Sequence, residues 1–142
     1  LDLCQELLQA GEPRYARQLF SQIISKQPKN TQMAEKIVDI CMESKEYAFA
    51  LKLLKRMISD FPSNMDLLFQ TGLVCELLED HDSALEHFLS VDQNEYNHVA
   101  AKLKIATLYF KKDKILQADN YLNSVLKIDP ENAEALALRR LM

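Results

Sequence analysis

The stretch TQMAEKIVDICMESKEYAFALKLLKRMISDFPSN, residues 31–64, contains two apolar patterns separated by a polar break. The break is Glu43-Ser44-Lys45-Glu46, and Asn30 before the first pattern is a favoured helix cap. Both patterns have the three- and four-residue spacing of an amphipathic helix. Their apolar positions are Ala34, Ile37, Val38 and Cys41, then Tyr47, Ala50, Leu51, Leu54, Met57 and Ile58. Pro62 ends the second pattern, because a residue before proline is pushed out of the helical region. The stretch therefore predicts an antiparallel helical hairpin.

The hairpin recurs along the chain with a period of 34 residues. Alanine stands at four equivalent positions, which are Ala16, Ala50, Ala84 and Ala118. Proline keeps the same spacing at Pro28, Pro62 and Pro130, with Tyr96 at the remaining position. A fixed period of this length is typical of stacked-repeat proteins. Small residues at one recurring position indicate that two helix backbones approach closely there, so that larger side chains would overpack the contact.

The repeating pattern resembles the tetratricopeptide repeat, whose signature includes Leu-Gly-x-x-Tyr, then Ala-x-x-x-Phe, then Pro. The first copy reads Leu3-Cys4-x-x-Leu7 followed by Ala16-x-x-x-Phe20 and Pro28, and the fourth reads Ile105-Ala106-x-x-Tyr109 followed by Ala118-x-x-x-Leu122 and Pro130. The resemblance implies an all-α fold, a right-handed α-solenoid of antiparallel helical hairpins. We expect one solenoid over residues 1–142. Its repeats are 1–30 (truncated at the N-terminus), 31–64, 65–98 and 99–132, and residues 133–142 form the first helix of a fifth. Both ends fall inside repeats, so we expect a fragment of a longer protein.

The third repeat departs from the pattern in two places. Asp92 stands where an apolar residue is expected, and Tyr96-Asn97-His98 replaces the proline turn. These changes predict that the second helix of this repeat ends early, near Val91 or Asp92. A local hinge and ordinary degeneracy of the repeat are the two alternatives.

In the resembled family the first helices of successive repeats line a concave groove that holds a protein partner. The groove positions here are Gln5, Glu35, Asp39, Met42, Glu43, Phe69, Leu73, Glu76, Leu103, Thr107 and Phe110. We expect Phe69, Leu73, Leu103 and Phe110 to form an exposed apolar patch, since contiguous exposed apolar surface marks interaction sites. We also expect Phe69 to point away from the core, so that Phe69→Glu removes partner binding without changing helicity.

The acidic residues of the second repeat favour a particular kind of partner. Glu35, Asp39 and Glu43 stack on one helix face, which favours basic residues beside the partner's apolar anchors. The family's carboxylate clamp relies on groove lysines and asparagines, and only Lys36 and Lys104 lie near the groove, outside the clamp arrangement. The sequence therefore predicts an adaptor or scaffold for protein–protein interaction that holds an amphipathic or apolar peptide. The alternative is a homo-oligomerisation module that associates through the groove or through chain ends rich in leucine, such as Leu136, Leu138 and Leu141.

Composition and motifs exclude several other classes of function. A net charge of −4 disfavours nucleic acid, whose phosphates require clustered basic residues. No apolar run approaches the roughly 20 residues that span a bilayer, so membrane insertion is not expected. His81, His87 and His98 lack metal-ligand spacing, and Asp80-His81-Asp82 is a triad only in the linear sequence. The sequence thus predicts no enzyme, no cofactor and no metal. Cys4, Cys41 and Cys75 are expected to be buried free thiols, which favours a cytoplasmic location.

Overall fold

The computed structural model describes all 142 residues, and they form nine α-helices and no strand. The helices are α1 (Asp2–Gln9), α2 (Pro13–Lys26), α3 (Thr31–Glu43), α4 (Tyr47–Asp60), α5 (Met65–Leu77), α6 (His81–Asn94), α7 (Val99–Lys111), α8 (Ile115–Ile128) and α9 (Ala133–Leu141). Consecutive helices pair as α1 with α2, α3 with α4, α5 with α6 and α7 with α8. The all-α fold of repeated helical hairpins is therefore confirmed.

The first helices of the hairpins start with the 34-residue period of the sequence. Helices α3, α5, α7 and α9 begin at Thr31, Met65, Val99 and Ala133. The residue before each of them is an N-cap whose side chain accepts a hydrogen bond from the backbone N–H three residues later. The caps are Asn30, Asn64, His98 and Asn132. His98 thus takes the place of asparagine, and its Nδ1 accepts from the N–H of Ala101 at 3.1 Å.

The turn inside each hairpin has the same backbone conformation. One residue of each turn lies in the left-handed region: Gly11 (φ 80°), Lys45 (φ 61°), Glu79 (φ 61°) and Asp113 (φ 58°). The next N–H then bonds back to the carbonyl five residues earlier, as from Glu46 to Cys41 at 2.7 Å and from Asp80 to Cys75 at 2.9 Å. This is the usual left-handed ending of a helix, and it reverses the chain so that the second helix packs on the first.

The chain divides into two compact units, which we call unit 1 (Leu1–Pro62) and unit 2 (Ser63–Met142). In unit 1 the recurring alanines Ala16 and Ala50 are fully buried, as are Phe20 and Leu54 on the same second helices. The Phe20 ring stacks on Phe49, with centroids 6.1 Å apart. Leu3, the first residue of the motif in the first copy, is 57% exposed, whereas Cys4 next to it is buried as expected.

Unit 2 is built around the same small-residue contacts. Ala84 and Ala118 are fully buried, and Gly72 lies directly against the Phe88 ring. A Cβ atom at Gly72 would come within 2.6 Å of that ring, which explains glycine at this position. A core cluster that includes Ala106, Leu122, Val125 and Ala135 joins α7, α8 and α9.

The prediction that the third repeat's second helix ends early is wrong. Helix α6 runs to Asn94 and has 14 residues, as do α2, α4 and α8. The reason is Lys102 on α7, whose Nζ lies 2.7 Å from Asp92 Oδ1. Since this ammonium neutralises the carboxylate inside unit 2, Asp92 fits a helical position that otherwise takes an apolar residue.

Aromatic rings complete the environment of Lys102. The side chain is only 2% exposed, and its Nζ lies 3.9 Å from the centre of the Tyr96 ring and 5.8 Å from that of Tyr121. Burial, followed by the nearby Asp92 carboxylate, raises the pKa of Tyr121. Tyr96 therefore replaces the proline of the other repeats with a ring that covers a buried cation, an interaction that stabilises the ammonium.

Candidate functional site

The first helices of unit 1 form an open cleft that we call the α1–α3 cleft. It has a volume of about 330 Å³, and Gln5, Asp39 and Glu43 line it, as predicted groove residues. Leu1, Asp2, Lys36 and Ile40 complete the lining. Three carboxylates face one ammonium there, so the cleft has a negative balance and attracts positively charged groups.

Two other predicted residues of unit 1 lie on α3 outside this lining. Glu35 is exposed and extends the acidic row one turn toward the start of the helix, whereas Met42 is half-buried. Glu35, Asp39 and Glu43 are all exposed, and like charges four residues apart on a helix repel one another by about 0.2–0.5 kcal/mol per pair. The acidic row is thus a solvated face without a basic neighbour at ion-pair distance.

Unit 2 has a corresponding cleft between α7 and α9, which we call the α7–α9 cleft. Its volume is about 520 Å³, and the predicted residues Leu103 and Thr107 line it together with Val99, Ala100, Lys104 and Glu134. Apolar and charged side chains therefore line the same opening. Glu134 was missed by the sequence reasoning, although its place in the first turn of α9 corresponds to Asp66 on α5 and Ala100 on α7.

The remaining apolar residues predicted for the groove are only partly accessible. Leu73 and Phe110 are half-buried. Phe69 is also half-buried, and its ring packs on Phe88 at 5.4 Å and on His98 at 4.9 Å between centroids. The expectation that Phe69 points away from the core is therefore wrong, and Phe69→Glu would disturb the packing around buried Phe88.

Glu76 and Thr107 make defined polar contacts within unit 2. Glu76 Oε1 accepts a hydrogen bond from Lys104 Nζ at 2.9 Å, while its Oε2 is buried and has no hydrogen-bond partner. The Thr107 hydroxyl donates to the Leu103 carbonyl at 2.8 Å, in the manner common for threonine inside helices. Lys104 is consequently held by a carboxylate on α5 and does not stand free to clamp a chain terminus.

Two histidines make local contacts to the backbone, and the three cysteines are buried. His98 caps α7. The Nδ1 atom of His87 lies 2.7 Å from the carbonyl oxygen of Ser83. Burial raises the pKa of Cys4, and burial together with Glu46 raises the pKa of Cys41 to about 12, so these thiols are held in the protonated, weakly nucleophilic form. No group of three or more His, Cys, Asp or Glu side chains is arranged to hold a metal ion. None of the nine helices combines the length and the apolar character needed to cross a bilayer.

Comparison with known proteins gives one family match and several structural ones. Residues 100–132 match the tetratricopeptide repeat family. No curated protein matches the chain by sequence. Among solved structures, MamA is 14% identical over 95% of this chain and 79% of its own, with a TM-score of 0.74.

Two further structures match nearly the whole chain. A tetratricopeptide repeat protein from Parabacteroides merdae is 15% identical and has a TM-score of 0.76, and the match covers 94% of this chain and 54% of the other. The pilF protein of Pseudomonas aeruginosa is 20% identical and has a TM-score of 0.69, with 96% and 62% covered. The present chain thus spans less than two thirds of these last two structures. At such identities the likeness concerns the fold, and together with the family match it identifies residues 100–132 as a tetratricopeptide repeat within a chain that has the tetratricopeptide-repeat fold.

Proposed function

We propose that this chain is a scaffold that holds an amphipathic or apolar segment of a partner protein on the exposed side of its first helices. Tetratricopeptide repeats generally mediate protein–protein interaction, and the family match lies in the hairpin that contributes most of the α7–α9 cleft. That cleft carries the proposal, because the Val99 and Leu103 side chains adjoin Lys104, Thr107 and Glu134 around one opening. Apolar walls with a few convergent polar groups are the usual make-up of a binding cleft.

The α1–α3 cleft supports the second part of the proposal, which concerns charge. Asp39 and Glu43 line it, and Glu35 continues the acidic row on the same helix. A partner segment with basic residues beside its apolar anchors would meet this negative potential with complementary charge. The proposed binding residues remain the full predicted set, with Phe69 acting as a support beneath the surface.

A carboxylate-terminal tail is a poorer ligand for this surface. Of the two lysines near the predicted groove, Lys104 is paired with Glu76 and Lys36 shares its cleft with Asp39 and Glu43. A terminal carboxylate would therefore approach an excess of negative charge, which repels it.

The test uses two synthetic amphipathic helical peptides with identical leucine anchors and either lysine or glutamate on the flanks. Fluorescence anisotropy measures binding to the wild type and to Ala100→Arg, which places a long side chain in the α7–α9 cleft. Ala100 is exposed and arginine is a good helix former, so the fold is retained. We expect the lysine-flanked peptide to bind more tightly, and Ala100→Arg to weaken it at least about tenfold, or about 1.4 kcal/mol.

A matched control separates cleft blocking from a general effect of added charge. Ala48→Arg makes the same exchange at an exposed position of the second helix α4, outside the cleft, and should leave peptide binding unchanged. Equal losses in the two variants, or no binding of either peptide by the wild type, would refute the proposal.

Self-association is the second candidate function. It is favoured by apolar side chains exposed on and just after α9, of which Leu141 is 72% exposed and Leu136 and Met142 also face solvent. Exposed apolar side chains that lie together usually mark a surface for interaction. Light scattering on the wild type and on Leu136→Glu, Leu141→Glu tests it. An oligomeric wild type and a monomeric variant are expected, and a wild type that is already monomeric would remove this candidate.

A further inference from the structure

Charged side chains in unit 1 are sorted by helix. The second helices α2 and α4 carry the basic residues Arg14, Arg17, Lys26, Lys52, Lys55 and Arg56 and a single acidic one, Asp60. The first helices α1 and α3 carry the acidic residues Asp2, Glu6, Glu35, Asp39 and Glu43 and a single basic one, Lys36. Unit 1 therefore has one basic and one acidic side, although the chain as a whole has a net charge of only −4.

The basic side contains an open cleft of about 690 Å³ between α2 and α4, which we call the α2–α4 cleft. Arg14, Arg17 and Lys52 line it around the Phe49 side chain, with Gln18, Ser21 and Gln22, and no carboxylate is among the lining residues. Arg17 is bonded to Glu46, whereas Arg14 and Lys52 are exposed and have no ion-pair partner. The cleft is thus a positively charged surface with an aromatic side chain among its lining residues.

On each side of unit 1, side chains of like charge repel one another. Lys52 and Arg56 are four residues apart on α4, as are Glu35, Asp39 and Glu43 in succession on α3, and such like-charge pairs repel. No ion pair joins the two sides within unit 1, whose one ion pair links Arg17 to Glu46 just before α4. An opposite charge supplied from outside relieves both.

We propose that unit 1 docks onto a second copy of this chain, with the acidic α1–α3 side of one copy against the basic α2–α4 cleft of the other. The argument for this occupant is complementarity within one chain. The acidic side favours a partner with basic residues beside an apolar anchor, and Arg14 and Lys52 beside Phe49 are such a surface. The acidic row from Glu35 to Glu43 is about 12 Å long, which spans two turns of a helix and allows several pairings at once. The inference rests on the proposed function, because both require the acidic α1–α3 side to bind a protein.

An interface of this kind joins two different surfaces of the same chain. It is heterologous, so that each added copy leaves one free acidic side and one free basic side, and growth continues unless a ring closes. The expected species are therefore a concentration-dependent series, and not a single dimer with twofold symmetry.

The experiment uses two double variants of the full chain, each of which removes one side. Glu35→Lys, Asp39→Lys reverses the acidic side, and Arg14→Glu, Lys52→Glu reverses the basic cleft. Sedimentation velocity should find each variant monomeric. In an equimolar mixture every negative surface again has a positive counterpart on the other variant, so assembly should be restored. Wild-type assembly should weaken between about 0.01 M and about 1 M salt, where the screening length falls from about 30 Å to about 3 Å.

Matched controls carry the same changes of charge in unit 2. Lys111→Glu, Lys127→Glu and Glu95→Lys, Glu131→Lys alter exposed residues without ion-pair partners and should assemble like the wild type. Circular dichroism melts verify that every variant is folded. A wild type that stays monomeric at low salt, or a mixture of variants that stays monomeric, would overturn the proposal.

The remaining outcomes separate this inference from the proposed function. A monomeric wild type that binds polyglutamate through Arg14 and Lys52 would assign the basic cleft to an acidic partner and overturn self-docking. Another outcome is a monomeric wild type that binds the lysine-flanked peptide, with binding lost only in Ala100→Arg. That result would support the scaffold function and overturn this inference.

Discussion

Lys102 has only 2% of its side chain exposed and lies 2.7 Å from the Asp92 carboxylate, under the ring of Tyr96. A buried ion pair gains little net stability over apolar residues of similar size, because both charges lose their hydration. Loss of one partner is different, since it leaves a charge that is buried and unpaired.

We expect Asp92→Leu to lower the free energy of unfolding by about 3–5 kcal/mol, because it strands the Lys102 ammonium. The double variant Asp92→Leu, Lys102→Met should regain most of this loss. Urea denaturation of the wild type, Asp92→Leu, Lys102→Met and the double variant measures the coupling between the two residues. Additive effects of the two substitutions would show that the pair does not interact energetically.

Cys41 provides a prediction about pH. Its pKa is raised from 9.0 to about 12, chiefly by burial and then by Glu46, so the folded state favours the thiol and the unfolded state loses its proton more readily. The stabilisation is fully present below pH 9 and is lost as the pH rises toward 12. Cys41→Ala should therefore show a weaker fall of unfolding free energy over this range than the wild type. Parallel curves for the two proteins would contradict the assignment.

Sequence reasoning located the unusual residues of the third repeat but not their cause. Asp92 and Tyr96 departed visibly from the pattern, whereas Lys102 attracted no notice because a lysine on a helix is ordinarily solvent-exposed. Asp92 and Lys102 lie on consecutive helices across a turn, a relation that helical periodicity does not encode. The compensation became visible only once α6 and α7 were packed together.

At the scale of the elements, the close contact between α5 and α6 depends on Gly72. Its Cα faces the buried Phe88 ring, and the equivalent positions of the next hairpin hold Ala106 and Leu122. Glycine thus pairs with the large phenylalanine in one hairpin, and the larger alanine pairs with the smaller leucine in the next.

Gly72→Ala should lower the free energy of unfolding by about 1–3 kcal/mol, since the added methyl group overpacks against Phe88. Gly72→Ala, Phe88→Leu reproduces the pair of the following hairpin and should recover part of the loss. Thermal melts monitored by circular dichroism measure both. A stabilised single variant would mean that the ring moves aside easily and that the greater helix propensity of alanine prevails.

The hairpin turns predict a substitution that raises the free energy of unfolding. Glu79 has a left-handed backbone, which costs a residue with a Cβ atom roughly 1–2 kcal/mol relative to glycine. Glu79→Gly should therefore raise the free energy of unfolding by up to about 1 kcal/mol, partly offset by the greater freedom of glycine when unfolded. Chemical denaturation tests this, with Glu131→Gly as a control at an exposed position where the structure records no left-handed backbone. A loss at Glu79 as large as at Glu131 would refute it.

The helices were largely predictable because apolar periodicity and caps recur every 34 residues, and a signal that is too weak in one copy becomes decisive in four. The left-handed turns were not predicted, because three of the four hold Lys, Glu or Asp where glycine would have marked them. Binding residues were harder still. Leu103 and Thr107 line a cleft, but Phe69 at an equivalent helical position turns inward, and only the packing of its ring on Phe88 and His98 decides this.

At the scale of the whole molecule, the division into two compact units has a direct consequence for folding. Unit 2 contains its own buried cluster around Ala106, Leu122 and Val125, together with the Asp92–Lys102 pair. Repeat proteins are stabilised mainly by each repeat and its nearest neighbours, so part of the array can fold without the rest.

We expect residues 63–142 expressed alone to be helical and to unfold in a cooperative transition. Circular dichroism and urea denaturation test this, with residues 63–142 carrying Asp92→Leu as a control that should be markedly less stable. A fragment without a cooperative transition would show that unit 2 depends on residues 1–62.

The buried lysine also bears on how a chain of similar hairpins keeps its order. Similar hairpins can pack in the wrong order, because each of them presents nearly the same apolar face to its neighbour. Lys102 pairs with the Asp92 carboxylate only when α7 lies next to α6. In any other arrangement the ammonium would be buried without an opposite charge, which is costly. We therefore expect the pair to determine which hairpins adjoin, because it penalises misassembled arrays more than it stabilises the correct one.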